Sequence, residues 1–164
     1  MNHQIVEHPA FTIVGKALRV SMENGENFKR IPEFWETCNK DGTSETVSKR
    51  SAGGKVLPNV IVGMCSDFTA DMSEFTYTIG AESGDGTVPD GMVATTIPAL
   101  TWAKFEAIGP PPEVIQSVMH HIWNEFFAAG AYSPCPAPSL EVYPHGDPMK
   151  PDYRFEIWTA VTKN

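Results

Sequence analysis

Apolar and polar positions alternate along this chain with two different periods. Period-two runs rich in aromatic and β-branched residues predict strands at residues 11–20 (FTIVGKALRV), 60–68 (VIVGMCSDF), 74–81 (EFTYTIGA), 99–108 (ALTWAKFEAI), 139–143 (SLEVY) and 152–161 (DYRFEIWTAV). Helical spacing predicts one helix at residues 28–39, where Phe28, Ile31, Phe34, Trp35 and Cys38 fall close to one face. Pro32 fits only in a first turn, so this helix is expected to begin near Arg30. A second helix follows Pro112, with Val114, Val118, Ile122 and Phe126 in one row and Ile115, Met119, Trp123 and Phe127 in the next, and Gly130 ends it. Residues 40–59 are mostly Gly, Ser, Thr, Lys and Asp, which predicts a long loop with Gly53-Gly54 as its most flexible point.

The order is strand, helix, loop, strand, strand, and then the same again after a Gly/Asp-rich connector. Such a pattern reads as an α+β chain of two βαββ repeats. One domain over residues 1–164 is expected, with repeat one at about 9–82, a linker at about 83–92 and repeat two at about 93–163. Phe34-Trp35 in the first helix answers Ile122-Trp123 in the second. Residues 74–81 align without gaps on residues 153–160, which sets Tyr77 against Glu156 and Ile79 against Trp158. If a pseudo-twofold relates the halves, Tyr77 and Glu156 face a shared cleft.

The last strand carries the most informative chemistry. Alternation sends Phe155, Ile157, Thr159 and Val161 to one face and Glu156, Trp158 and Ala160 to the other. A carboxylate beside an indole on an otherwise apolar face is costly unless something pairs with it. An organic cation would do so, its charge meeting Glu156 while the rings of Trp158, Tyr77 and Phe75 stack on it. The bland alternative puts Glu156 at an exposed sheet edge, paired with a lysine, and leaves Trp158 and Tyr77 in the core. Trp35 and Trp123 lie on inner helix faces, where packing and cleft contact are both open. Trp102 shares a strand face with Lys104, and Ala103 shares the other with Phe105; the pattern does not say which face lines the cleft.

Composition narrows the partners. With 20 acidic and 12 basic residues the net charge is −8, which argues against direct contact with nucleic acid, where lysine and arginine must neutralise phosphates. The apolar runs are too short to span a bilayer and no signal-peptide pattern opens the chain, so a cytoplasmic location is expected. Cys38, Cys65 and Cys135 have neither CxxC spacing nor histidines at ligand offsets, and read as free, mostly buried thiols. His120 and His121 are adjacent and cannot both present to one metal from a helix face, and Gly84-Asp85-Gly86 does not open a helix as a phosphate loop must. No metal or cofactor is expected, and no GxSxG, HExxH or Cys/His/Asn arrangement points to catalysis.

The duplicated unit, the stretch PALTWAKFEAIGPP (residues 98–111) before the second helix and the terminal YRFEIWTAV (residues 153–161) resemble the gyrase-inhibitor-like superfamily. This is also the effector-binding domain of AraC- and MerR-type multidrug-responsive transcription regulators. The resemblance spans residues 11–161 and implies a curved antiparallel sheet with two main helices and a ligand cleft between pseudo-twofold halves. It also implies binding of a lipophilic cation, with a glutamate on the final strand meeting the charge; by motif position that residue is Glu156. Two departures stand out: there is no room for the regulators' helix-turn-helix domain, and the segment at residues 40–59 is long. The resemblance leaves two other readings open. One is hydrolysis of strained cyclopropane-type toxins, where Glu156 would act as a general base or acid; the other is a module that binds a protein such as gyrase.

Overall fold

The computed structural model describes residues 1–164. Nine strands form one antiparallel sheet: β1 (His3–His8), β2 (Phe11–Ser21), β3 (Val60–Ser66), β4 (Glu74–Glu82), β5 (Val93–Ile97), β6 (Leu100–Ile108), β7 (Tyr132–Pro134), β8 (Ser139–Pro144) and β9 (Arg154–Lys163). Three α-helices accompany them: α1 (Glu26–Lys40), α2 (Thr43–Arg50) and α3 (Pro111–His121), the last extended by a wide turn at Ile122–Phe126. The strand order is β1-β6-β9-β8-β3-β4-β2-β5, with β7 paired to the end of β9.

That order is symmetric about the central β8/β3 pair. Moving outward from the centre, β9 answers β4, β6 answers β2 and β1 answers β5. The α+β fold of two repeats expected from the sequence is therefore present, as β2-α1-β3-β4 and β6-α3-β8-β9, in a curved, open sheet. The lead strands are exchanged: β1 precedes β2 but pairs with β6, and β5 precedes β6 but pairs with β2. Each half thus completes the edge of the other.

Alternation along the strands builds a core on each face of the sheet. On the helix-bearing face, α1 buries Phe34 and Cys38 against Val20, Phe75, Tyr77 and Ile79. On the same face α3 buries Val118 and Ile122 against Phe105, Phe155 and Ile157. The helix-free face closes on itself around Trp102, Trp158, Ile13, Val62, Met64 and Leu140. Phe11 of β2 lies 6.2 Å, ring to ring, from Trp102 of β6, although four strands separate β2 from β6. Only a sheet curled toward its helix-free face brings them together, and the same curl opens the opposite face along the β3/β8 seam.

Three local expectations change. The segment at residues 40–59 is not all loop: Asp41 Oδ1 accepts the Thr43 N–H at 2.9 Å and α2 follows, burying Thr43 and Val47. With so few apolar residues it has no helical periodicity to read, and its support comes from a docked Val47 and the exposed Glu45–Lys49 pair. Helix α1 starts at Glu26, so Pro32 lies inside it rather than in its first turn. The carbonyl that proline leaves without a helical donor belongs to Phe28, an exposed residue, where water can take its place. β1 is a further element, invisible to alternation because its residues are nearly all exposed at the sheet edge.

Candidate functional site

At the seam, β3 and β8 set Ile61 against Tyr143, Gly63 against Glu141 and Cys65 against Ser139. These residues point to the helix-bearing face, between the halves covered by α1 and by α3. Tyr77, on β4, is fully buried and reaches across β3 at the one place where no side chain blocks it. A Cβ on Gly63 would sit 2.1 Å from the Tyr77 hydroxyl and 2.6 Å from Glu141 Oε1. Glycine at position 63 is the condition for this contact.

Through that gap Tyr77 donates its hydroxyl proton to Glu141 Oε1 at 2.6 Å. Tyr143 donates to the same oxygen at 2.8 Å, and Trp35 Nε1 on α1 donates to the Tyr77 hydroxyl oxygen at 2.9 Å. The Trp35 ring meets that of Tyr143 edge-on, 5.5 Å between centroids. Glu141 Oε2 accepts no hydrogen bond from the protein and keeps contact with solvent. Glu141, Tyr143 and Trp35 are half-buried, so the carboxylate and two of the rings beside it keep part of their surface open at the seam, above the buried Tyr77.

Glu141 forms no ion pair with lysine, arginine or histidine. Burial raises its carboxyl above the ordinary glutamate value, outweighing the two phenol hydrogen bonds that pull it down. The phenols of Tyr77 and Tyr143 are pushed well up, first by burial and then by the charge of Glu141. When Glu141 is ionised, the site holds one negative charge in a poorly solvated place with no internal cation to compensate it.

Glu156 does not occupy this place. It lies on the opposite face of the sheet, half-buried, where its Oε1 accepts the Trp158 Nε1–H at 3.1 Å. Lys104 Nζ already lies over the Trp158 ring, 3.9 Å from its centroid, so an internal cation takes the position expected for a guest. Trp158 and Trp102 are core residues of that face, 5.8 Å apart. The face of β6 carrying Trp102 and Lys104 thus turns away from the groove, and the Phe105 face packs under α3.

The structure does not keep the gapless alignment that set Tyr77 against Glu156. Phe75, Tyr77 and Ile79 face α1, as Phe155 and Ile157 face α3, so Glu156 cannot be the counterpart of Tyr77. An alignment off by one residue exchanges every side chain between faces. Phe75 is buried under α1 and stacks on Phe68 at 5.0 Å, away from the seam. Trp123 is 53% exposed on the outside of the turn after α3. Of the expected set, Tyr77 and Trp35 come together in the groove, while Glu156, Trp158, Trp102, Phe75 and Trp123 lie elsewhere. Glu141 and Tyr143 do not stand out in the sequence, because Ser139, Glu141 and Tyr143 against Leu140 and Val142 reads as an ordinary strand with one wet face. The available signal was Gly63 inside a strand, a mark of close approach by another group.

The family model of the GyrI-like small molecule binding domain matches residues 1–162. The chain belongs to this family. Among curated proteins, the transcriptional regulator BrlR of Pseudomonas aeruginosa is 27% identical over 164 residues, 98% of this chain and 56% of its own length. The chain thus spans little more than half of that relative. Among solved structures, SAV2435 bound to tetraphenylphosphonium superposes with a TM-score of 0.82 at 23% identity, over 99% of this chain and 94% of the other. A putative transcription regulation protein of Staphylococcus aureus MU50 gives 0.79 at 25% identity, over 99% of each chain. This GyrI-like chain is accordingly a small-molecule-binding domain related to the effector domains of regulators, and no helix in it is long and apolar enough to cross a membrane.

Proposed function

We propose that this domain binds lipophilic organic cations in the seam groove, with Glu141 meeting the charge and Tyr77, Tyr143 and Trp35 supplying ring surface. The observation that carries the reading is the half-buried Glu141 carboxylate, which has two phenol donors on one oxygen and no cationic partner. A permanent cation offsets the cost of holding that charge away from water, whereas a neutral guest does not. Ring faces add roughly 0.5 to 2 kcal/mol for each well-placed cation–π contact. The tetraphenylphosphonium held by the similarly folded SAV2435 is a ligand of this chemistry. In this reading the domain senses the cation within the cytoplasm, and its acidic balance keeps it from contacting nucleic-acid phosphates itself.

The test is a fluorescence titration with tetraphenylphosphonium and with neutral triphenylphosphine oxide. A charge-assisted contact contributes about 1.5 to 3 kcal/mol. Glu141→Gln is therefore expected to weaken the cation by about tenfold to a hundredfold, to leave the neutral compound unchanged and to keep the circular dichroism spectrum. Equal losses for the two compounds, or none for either, would remove the charge pairing on which the proposal rests.

A further inference from the structure

A depression lies away from the seam, at the end of the sheet where β1, β6, β9 and β8 meet. It is open, has a volume of about 530 Å³ and is lined by Lys104, Glu156, Val60, Val142 and Phe155, with the Arg154–Glu106 ion pair at its wall. Its size falls within the range of small-molecule sites.

Two of its charges are left unmatched. Lys104 Nζ makes no hydrogen bond and no ion pair, and lies over the face of the Trp158 ring. Glu156 enters no ion pair either, and only its Oε1 is engaged, by the edge of the same ring. The indole therefore holds an ammonium on its face and a carboxylate at its edge without letting them meet within 4.0 Å. Burial disfavours the charge on Lys104 and the nearby carboxylate of Glu156 favours it, so the ammonium senses the carboxylate across this gap.

We infer that this depression is a second ligand site, for a small zwitterion of the α-amino-acid type with an apolar side chain. The ligand carboxylate accepts hydrogen bonds from Lys104 Nζ, and its ammonium donates to the free oxygen of Glu156. The side chain rests on Val60 and Val142, which share this face of the sheet. Arg154 and Glu106 neutralise each other, so a guest with a single charge satisfies only one of Lys104 and Glu156, whereas a zwitterion satisfies both.

The experiment uses the indole N–H resonance of Trp158 in the ¹⁵N-labelled full chain, titrated with L-leucine, L-leucinamide and N-acetyl-L-leucine. Leucine is expected to shift that resonance saturably. The amide lacks the carboxylate and the acetyl compound lacks the ammonium, and each should bind at least about tenfold more weakly, as for loss of one charged contact. Lys104→Met and Glu156→Gln should each weaken leucine similarly while leaving tetraphenylphosphonium titrations as they are in the unsubstituted protein, because the seam is untouched. Equal response to the three probes, no saturable shift with leucine, or unchanged leucine affinity in both variants would overturn the assignment. The probe comparison needs no variant, so a substitution that fails to fold does not spare the proposal.

Discussion

Glu141 and Glu156 are near neighbours across the β8/β9 pairing, where Glu141 faces Ile157 and Val142 faces Glu156. One step in register puts them on opposite faces of the sheet, in opposite electrostatic company. Glu156 has an indole N–H on one oxygen, a lysine on the same indole and an arginine nearby at the wall of an open depression. Glu141 has two phenols on one oxygen and no cation at all. Neither the residue type nor the strand decides which carboxylate is held in want of a cation. The curl of the sheet decides it, because it fills the helix-free face with Trp102 and Trp158 and leaves the helix-bearing face open along its seam.

The most disruptive way to break this contrast is to fill the gap that Tyr77 uses. Gly63→Ala places a methyl group 2.1 Å from the Tyr77 hydroxyl, so the phenol must leave Glu141. Overpacking of this kind typically costs about 1 to 3 kcal/mol. A denaturant midpoint lowered by that amount, together with loss of cation binding, is the expected outcome. An unchanged midpoint would mean that the crossing is loose enough to absorb a methyl group.

Glu141 also predicts a pH dependence. Its folded-state pKa is raised by burial, so between the ordinary glutamate value and the raised one the folded chain keeps a proton that the unfolded chain has released. Stability is therefore expected to fall as pH rises through that window and to level off above it. Cation affinity runs the other way, since only the carboxylate pairs with the guest, and rises through the same window to a plateau. Glu141→Gln should flatten this part of both curves. Parallel titrations of stability and of tetraphenylphosphonium affinity check the two signs together, and an affinity that falls as pH rises would contradict the site.

A smaller change sharpens the same point. Tyr143→Phe removes one of the two donors to Glu141 Oε1 and leaves Tyr77 in place. A loss of about 1 kcal/mol in stability is expected, the net contribution of one hydrogen bond. The pH window should also move upward, because a donor that favours the charged form has gone. A midpoint that stays where it was would show that Tyr77 alone sets the charge state.

Much of the fold is legible in the chain because it is written in local periods. Six strands, two helices and their duplication follow from alternation and from the rows on α3. Faces within one strand are equally legible: Phe155 and Ile157 do point one way and Glu156 and Trp158 the other. What cannot be read locally is which face of the sheet opens. That depends on the curl bringing Phe11 to Trp102 and on β1 and β5 being exchanged between halves, both long-range properties. Glu141 is illegible for the same reason, since it becomes unusual only once Gly63 is its cross-strand partner and Tyr77 reaches over from the next strand.

The smallest expected effect is also the sharpest control. Glu156→Gln removes a charge from the side of the sheet away from the groove, keeps an oxygen able to accept the Trp158 Nε1–H and frees Lys104 from a neighbouring carboxylate. Half-exposed changes that leave packing intact usually shift stability by no more than about 0.5 kcal/mol. The cation titration should be indistinguishable from that of the unsubstituted protein, because the intervening sheet and its filled core separate this carboxylate from the seam. A tenfold loss of tetraphenylphosphonium in this variant, with Glu141→Gln silent, would reverse the roles of the two glutamates. It would mean that the guest enters the depression beside Trp158 and displaces Lys104 from the ring.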